Sequence, residues 1–197
     1  MSLRTLAVLP LNHLSLVKSR LKSAGVDRPQ LALDLLKRCL GVLAQVEGID
    51  ALWVVSPESE PHVVGAEWIL QTSSGLNPAL EEARALALSR GFERLLVVLP
   101  DLPFVEVSEV SALLRETSQL VVCPDRWGRG TNLWLGHLAP DGPAFCFGED
   151  SFRAHQQAAL RAGWQCGEYR SPGCERDLDT VEDWEEFRWS LPSNCCL

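Results

Sequence analysis

The sequence lacks any long apolar run. Its longest apolar stretches lie at residues 51–55 and 95–99, far short of the ~20 residues that a membrane-spanning helix needs. Low hydrophobicity combined with high net charge, which is typical of disordered chains, is also missing, because 46% of the 197 residues are apolar. We therefore predict no membrane span, a single domain over residues 1–190 and a C-terminal tail over 191–197.

Positive charge is scarce. The chain has 18 Lys and Arg against 26 Asp and Glu, a net charge of −8, and its only lysines are Lys18, Lys22 and Lys37. A generic nucleic-acid binder needs a basic face, so nucleic acid is not an expected partner. A phosphate-bearing small molecule is not excluded. Its site must gather positive charge locally or take it from a metal ion.

Several catalytic motifs are missing. No G-x-G-x-x-G follows the first predicted strand, and no G-x-x-x-x-G-K-[ST] loop is present, which disfavours a dinucleotide-binding Rossmann site and a P-loop. The nucleophile motif G-x-S-x-G is absent, and the four histidines show no metal-binding spacing. These absences disfavour a serine hydrolase and a zinc enzyme.

The seven cysteines include no C-x-x-C pair. An odd number of cysteines without a signal peptide predicts reduced thiols and a cytoplasmic location. Cys39 lies on a predicted apolar helix face and Cys123 ends an apolar strand, so packing is the expected role of both. Seven tryptophans are also present, and a homodimer built on an exposed one is left open.

The apolar periodicity alternates between strands and helices along the chain. Strands are predicted at residues 4–9, 51–55, 68–71, 95–99, 120–123, 132–135 and 165–169. Helices are predicted at residues 28–46, 78–89 (with Asn77 as its N-cap), 107–116, 151–162 and 181–189. This alternation predicts an α/β fold, a three-layer α/β/α sandwich around a mostly parallel mixed sheet.

Acidic side chains follow two of these segments. Ligands of open α/β sheets bind beyond the carboxyl ends of the strands. Asp101 directly follows the most apolar strand, and Asp177 and Asp179 share one face if their segment is extended. Carboxylates that converge repel one another unless a cation lies between them, and hard oxygen ligands suit Mg²⁺. In the alternative interpretation, Asp101 merely ends a strand and Asp179 caps the last helix.

Two loops have the composition of anion sites. Residues 128–132 combine glycines, an arginine and a threonine, and are suited to wrapping an anion with backbone N–H groups. Residues 147–152 open a helix, whose N-terminus favours anions. Lys18 and Arg20 add cations in the first loop. Each segment has a simpler interpretation. Residues 128–132 can be an ordinary turn, and Glu149 and Asp150 can be acids that compensate the dipole of their own helix. Lys18 and Arg20 can belong to a solvated charged turn.

Taken together and in order, these stretches resemble the 2-phospho-L-lactate guanylyltransferase family of deazaflavin coenzyme F-420 biosynthesis, within the GT-A-like nucleotidyltransferases. The resemblance covers residues 6–186, nearly the whole chain. It rests on Pro10 with residues 18–21, and on residues 75–77, 101–103, 124–132, 147–152 and 177–180. Each fragment alone is a weak indication of the family, but six fragments in the correct order are specific for it. The fold implied is that of nucleotide-diphospho-sugar transferases.

The resemblance implies transfer of GMP from GTP to the phosphate of a small phosphorylated carboxylic acid, with release of pyrophosphate. The acceptors of the family are 2-phospho-L-lactate, phosphoenolpyruvate and 3-phosphoglycerate. Carried over residue by residue, the acceptor-binding residues are Thr131, Gly148 and Ser151. The Mg²⁺ ligands implied are Asp101, Asp177 and Asp179. The residues implied on the GTP side are Lys18, Arg20, Gly75 and Asn77, and those implied in catalysis are Asp101, Lys18 and Arg20.

The chain departs from the family pattern at a few positions. Asn12 stands where the family usually has a lysine, and Glu149 and Asp150 replace uncharged residues. Two other functions are therefore kept open. One is a nucleotidyltransferase with another base or acceptor, and the other is a nucleotide-binding protein that has lost catalysis.

Overall fold

A computed structural model describes residues 3–15, 21, 25–59 and 63–190, and within them the chain forms seven strands and five helices. The strands are β1 (Thr5–Pro10), β2 (Ala51–Ser56), β3 (Glu67–Leu70), β4 (Arg94–Val98), β5 (Leu120–Pro124), β6 (Thr131–His137) and β7 (Cys166–Glu168). The helices are α1 (Arg28–Leu43), α2 (Leu76–Ser89), α3 (Val107–Leu113), α4 (Ser151–Arg161) and α5 (Val181–Ser190).

All seven strands form one sheet in the order β3-β2-β1-β4-β6-β5-β7. β6 runs antiparallel to both of its neighbours, β4 and β5, and every other pair of strands is parallel. The central strands β1 and β4 are almost entirely buried, as expected for parallel strands covered on both faces. The predicted α/β architecture with a mostly parallel mixed sheet is confirmed.

The alternation of side chains along β1 and β4 divides the core into two layers. Ala7 and Leu9 of β1 pack with the buried residues of α1 and α3 on one face of the sheet. Leu6 and Val8 pack with those of α2 and α4 on the other. Helices therefore cover both faces, which gives the three-layer sandwich.

Two helices end about three residues earlier than their apolar patterns predict. α1 ends at Leu43, although Val46 beyond it is still buried. α3 ends at Leu113, and the amides of Arg115 and Glu116 bond three residues back instead of four. Tighter turns follow both helices, and apolar side chains in these turns still pack against the core. The apolar periodicity therefore extends beyond the end of each helix.

The cysteine interpretation is confirmed for the buried thiols. Cys39 and Cys123 are fully buried, and burial raises the pKa of Cys39 to about 12. A thiol with so high a pKa is a packing group and not a nucleophile. Trp127 and Trp189 are exposed, whereas Trp53 and Trp134 are buried in the core. None of the described helices is long and apolar enough to span a lipid bilayer.

Candidate active site

Two adjoining cavities open at the carboxyl ends of the parallel strands. The smaller has a volume of about 340 Å³ and the larger about 680 Å³. Both are lined by Leu76 at the start of α2, by Leu99 and Asp101 after β4, and by Asp179 before α5. The boundary between the cavities therefore carries two carboxylates, at the edge of the sheet where an α/β fold binds its ligands.

The smaller cavity has largely apolar walls. Its lining comes from the ends of β1, β3 and β4 and from the faces of α1 and α2. The residues that belong to it alone are Pro10, Leu11, Asn12, Ala32, Leu35, Gln71, Gly75 and Pro100. Among the described residues, no Lys or Arg lines this cavity. Apolar walls with the amide side chains of Asn12 and Gln71 suit an aromatic ring better than an isolated anion.

A carboxylate on α2 fixes the loop beside this cavity. Glu82 accepts from the amide and hydroxyl of Thr72 at 2.9 and 2.6 Å, and from the amide of Ser73 at 2.7 Å. The hydroxyl of Ser73 also donates to it. These bonds lower the pKa of Glu82 to about 2. The loop leads into Gly75, whose φ of 96° favours glycine.

The prediction that Asn77 caps α2 is wrong. The N-cap is Gly75, and Asn77 lies inside the first turn of the helix. The Asn77 amide instead pairs with the backbone of Phe147. Its Nδ2 donates to the Phe147 carbonyl at 3.0 Å, and its Oδ1 accepts the Phe147 N–H at 2.8 Å. The side chain predicted on the GTP side thus joins α2 to the segment that lines the larger cavity.

The three predicted metal-binding carboxylates line the larger cavity together. The backbone N–H of Leu178 donates to the carbonyl of Asp101 at 2.9 Å, which joins their two segments. Leu178 is buried, while Asp177 and Asp179 on either side are partly exposed. The alternation agrees with the prediction that both carboxylates share one face.

Asp179 does not cap α5. The cap is Thr180, whose Oγ1 accepts the N–H of Asp183 at 3.2 Å, while Asp183 accepts from the Thr180 amide and hydroxyl at 2.8 Å. These bonds lower the pKa of Asp183, although burial opposes them. Because Thr180 supplies the cap, the simpler interpretation of Asp179 as a helix cap is wrong.

The part of the chain that the structure describes contains no cluster of three or more His, Cys, Asp and Glu that could hold a metal ion. Asp101, Asp177 and Asp179 share a cavity wall without forming such a cluster. This donor set is compatible with Mg²⁺, which usually takes one or two carboxylates and completes its octahedron with water and substrate phosphates.

The larger cavity brings together the three predicted acceptor-binding residues. Thr131 begins β6, Ser151 begins α4 and Gly148 precedes α4, and all three line this cavity. Thr131 and Ser151 are 3% and 1% exposed, so both are firmly packed. Gly148 has a φ of 135°, and a Cβ there would meet nothing within 4 Å. Its backbone conformation, not crowding, requires glycine.

His155 contacts these segments, and no sequence motif predicts a role for it. It is fully buried. Its Nδ1 lies 3.0 Å from the Oγ1 of Thr131, and its Nε2 accepts the backbone N–H of Cys146 at 2.9 Å. Burial lowers the pKa of His155 to about 4, and its bond to the Ser151 carbonyl opposes this only in part. The signal in the sequence was its spacing, four residues after Ser151 on one helix face.

The glycine loop after β5 does not offer its amides to an anion. The N–H groups of Trp127 and Arg129 donate to Oδ1 of Asp125 at 3.0 and 2.9 Å, and that of Gly130 donates to Oδ2 at 2.8 Å. The Gly128 N–H donates to the Asp125 carbonyl at 3.0 Å. The prediction that this loop wraps an anion is therefore wrong, because its own carboxylate is the anion.

The N-terminus of α4 is arranged differently. Its N-cap, Asp150, has a left-handed backbone with φ 50° and ψ 30°, and its side chain makes no capping hydrogen bond. Among the described residues it is the only non-glycine with positive φ. Glu149 and Asp150 are both exposed. The Phe152 N–H in the first turn of α4 instead donates to the Arg129 carbonyl at 3.0 Å. The helix dipole favours an anion at the cavity wall, but these two acids oppose it.

Positive charge at the cavities is limited. Of the described lining residues, Arg129 is the only Lys or Arg. Lys18 and Arg20, the predicted triphosphate-binding cations, lie outside the described residues. The larger cavity also carries six carboxylates, those of Asp101, Asp125, Glu149, Asp150, Asp177 and Asp179. A phosphate entering it requires a further cation.

The family model described as guanylyl transferase CofC like matches residues 5–189. The chain belongs to this family. Membership confirms the resemblance inferred from the sequence, and the match covers both cavities and every element that lines them. The guanylyltransferase class of enzyme follows from it.

Relatives in this family cover nearly the whole chain. A phosphoenolpyruvate guanylyltransferase of Sphaerobacter thermophilus is 38% identical over 196 residues, which are 95% of this chain and 94% of that protein. Another protein of the same name, from Rubrobacter xylanophilus, is 39% identical over 187 residues, 90% of each chain. Among solved structures, a candidate nucleotide-diphospho-sugar transferase of Desulfovibrio desulfuricans G20 superposes with a TM-score of 0.76. It is 18% identical, over 96% of this chain and 89% of the other, and supports the fold alone.

Proposed function

We propose that this chain transfers GMP from GTP to phosphoenolpyruvate in coenzyme F-420 biosynthesis. An oxygen of the acceptor phosphate attacks the α-phosphorus of GTP, the bond to the β-phosphate breaks, and pyrophosphate leaves. The attacking group is already an oxyanion, so no Ser, Cys or His nucleophile is needed. The reaction requires two phosphates held in line and their charge neutralised.

The observation that carries this proposal is the pair of adjoining cavities with Asp101 and Asp179 on their boundary. The smaller cavity, with its apolar walls, suits the guanine nucleoside. The larger, with Thr131, Gly148 and Ser151, suits the phospho-acid. The α-phosphate of the nucleotide and the phosphate of the acceptor would then meet at the boundary.

Mg²⁺ is the proposed cofactor, and the residues that would hold it are Asp101 and Asp179 with Asp177 beside them. When bound, it would neutralise phosphate charge that the six carboxylates of the larger cavity otherwise repel. Asp101 is kept in place by α1, because Arg38 donates to the Pro103 carbonyl and the Cys39 thiol lies 3.5 Å from the Pro100 carbonyl oxygen. The remaining positive charge would come from Arg129, Lys18 and Arg20.

Phosphoenolpyruvate is the proposed acceptor because the two relatives at 38% and 39% identity carry that name. The experiment is a pyrophosphate-release assay with Mg²⁺ that crosses GTP, ATP and CTP with phosphoenolpyruvate, 2-phospho-L-lactate and 3-phosphoglycerate. We expect release with GTP and phosphoenolpyruvate. Release with another pair would identify another base or acceptor. GTP binding without release in any well would favour a nucleotide-binding protein that has lost catalysis.

Asp101→Asn tests the proposed metal site. We expect pyrophosphate release to fall by about 10³-fold or more, since one carboxylate charge at both phosphates is lost. The melting temperature should stay within a few degrees. The matched control is Asp141→Asn, an exposed aspartate in a turn outside both cavities, which should leave turnover unchanged. Turnover of Asp101→Asn at the wild-type rate would refute the metal assignment.

A further inference from the structure

The buried imidazole of His155 contacts two separate walls of the larger cavity. Its Nδ1 lies 3.0 Å from Thr131 Oγ1, and its Nε2 accepts the N–H of Cys146, two residues before Gly148. It also lies one helical turn after Ser151 on the buried face of α4. One ring thus adjoins all three segments that carry the predicted acceptor-binding residues, although it does not line the cavity.

These contacts determine which ring nitrogen carries the proton. A backbone N–H can only donate, so Nε2, which accepts from Cys146, must be unprotonated. A neutral imidazole carries its one proton on the other nitrogen, Nδ1. Burial lowers the pKa of His155 to about 4, so the ring is neutral at neutral pH. The single ring N–H is therefore on Nδ1, which adjoins Thr131 Oγ1 and shares its proton with the Ser151 carbonyl. The Thr131 hydroxyl can accept from this group but cannot donate to it.

This direction matters for the hydroxyl of Thr131. A hydroxyl has one proton and two acceptor lone pairs. Since His155 offers Thr131 a donor and no acceptor, the proton of Thr131 is left to donate elsewhere, and Thr131 lines the larger cavity. If Thr131 donated to His155 instead, it would present only a lone pair to the cavity and would repel an anion.

We propose that His155 is a positioning residue for the acceptor, which directs the hydroxyl proton of Thr131 toward the acceptor's anionic oxygen. Its contact with Cys146 joins α4 to the segment before Gly148 and stabilises the fold. This inference rests on the proposed function, because the anion in question is the phospho-acid. Asn77 holds the next residue, Phe147, by both of its amide atoms, so side chains and not sheet bonds position this segment.

Two variants separate the two contacts of the ring. His155→Gln places an amide oxygen near the position of Nε2, which retains an acceptor for the Cys146 N–H and removes the donor to Thr131. His155→Asn places an amide N–H near the position of Nδ1, which retains the donor and loses the acceptor. We expect His155→Gln to raise the KM for phosphoenolpyruvate about tenfold, with the KM for GTP within twofold of wild type. His155→Asn should keep the wild-type KM for phosphoenolpyruvate and lower the melting temperature.

Exposed His137 provides the control, and His137→Gln should change neither KM nor melting temperature. An unchanged KM for phosphoenolpyruvate in His155→Gln would overturn the inference. So would equal rises in KM in both His155 variants that follow their loss of stability.

A second measurement does not depend on turnover. The ¹⁵N chemical shifts of the imidazole in the wild-type protein distinguish the two tautomers, and we expect Nδ1–H at pH 7. The Nε2–H tautomer would overturn the inference even if the enzyme is active. A wild-type protein that shows Nδ1–H but releases no pyrophosphate with any acceptor would contradict the proposed function and not the placement of the proton. In that case, calorimetric binding of phosphoenolpyruvate replaces KM in comparing the variants, and equal affinities would overturn the inference.

Discussion

Two segments beside the larger cavity differ in the groups that bond to their backbone. The loop from Asp125 to Gly130 folds around the Asp125 carboxylate, which accepts hydrogen bonds from three backbone N–H groups of the loop. The segment from Cys146 to Ser151 is held from outside by His155 and Asn77, and it ends at α4, whose N-cap side chain makes no capping hydrogen bond. The N–H groups of the glycine loop are therefore bonded within the loop, and the segment that is less distinctive in composition carries two of the proposed acceptor-binding residues.

Glycine content alone therefore does not mark an anion site. Gly130 is needed because a Cβ there would lie 2.8 Å from Oδ2 of Asp125. Gly148 is needed because its φ is 135°, although a Cβ would find open space. The first glycine serves the interior of a turn, and the second sets the direction of the chain at the cavity. Substitutions at both segments test this distinction, through stability in one and acceptor binding in the other.

Gly130→Ala should have the largest effect on stability. Its Cβ would overlap a carboxylate that three N–H bonds hold in place, so the loop must shift, and we expect a loss of about 3 kcal/mol in the free energy of unfolding. Chemical denaturation measures it. Gly41→Ala in α1, where a Cβ meets nothing within 4 Å, is the control and should be neutral or slightly stabilising. A loss below about 0.5 kcal/mol for Gly130→Ala would show that the loop is not closed around Asp125.

Asp125→Asn should come next. The amide retains one oxygen for Trp127 and Arg129 but places an NH₂ group opposite the N–H of Gly130, so a charge-assisted bond becomes a contact between two donors. We expect a loss of about 2 kcal/mol in unfolding free energy and a KM for phosphoenolpyruvate within threefold of wild type. Asp141→Asn is again the control. A tenfold rise in that KM without loss of stability would mean that Asp125 contacts substrate and that this loop does not differ from the segment 146–151 in its role.

The sequence predicted the architecture well because its signals are local. The unbroken apolar run of β4 and the helical stripe of α1 each report burial over a few residues, and strand and helix positions follow from them. The sequence also indicated three carboxylates that line one cavity, since Asp101 lies three residues after β4 and Asp177 and Asp179 alternate about a buried leucine. Here local order along the chain and placement in the fold agree.

What the sequence did not reveal depends on contacts between distant residues or on how a turn closes. Asn77 is of a residue type that favours helix N-caps, but the residue that it bonds, Phe147, lies 70 positions away along the chain. The residues that surround Asp125 favour an anion loop equally well whether the anion is a ligand or Asp125 itself. For His155 the spacing from Ser151 indicated only a shared helix face, because its contacts are with Thr131 and Cys146, which the fold brings to either side of one ring.

Gly148→Ala should act on binding more than on stability. An alanine at φ 135° is strained by about 1–3 kcal/mol, and the chain can relieve the strain by turning the entrance to α4 away from the cavity. We expect the KM for phosphoenolpyruvate to rise about tenfold. Gly163→Ala is a matched control, since it also has positive φ and open space around the Cβ but lies outside both cavities. Equal effects of the two variants on KM would show that Gly148 has no special place at the acceptor.

Substitutions of Asp150 should have the smallest effects, and these should be a gain in stability and a lower KM instead of a loss and a rise. Its left-handed backbone would suit glycine better, so Asp150→Gly should raise the unfolding free energy by up to about 1 kcal/mol. It also removes a negative charge from the cavity wall, which should lower the KM for phosphoenolpyruvate two- to threefold at low salt. Asp150→Asn separates the two causes, because asparagine tolerates the same backbone but carries no charge. It should reproduce the lower KM without the gain in stability. A higher KM in both variants would mean that the carboxylate helps to hold the acceptor or its metal, and that the N-terminus of α4 is not the group that binds the anion.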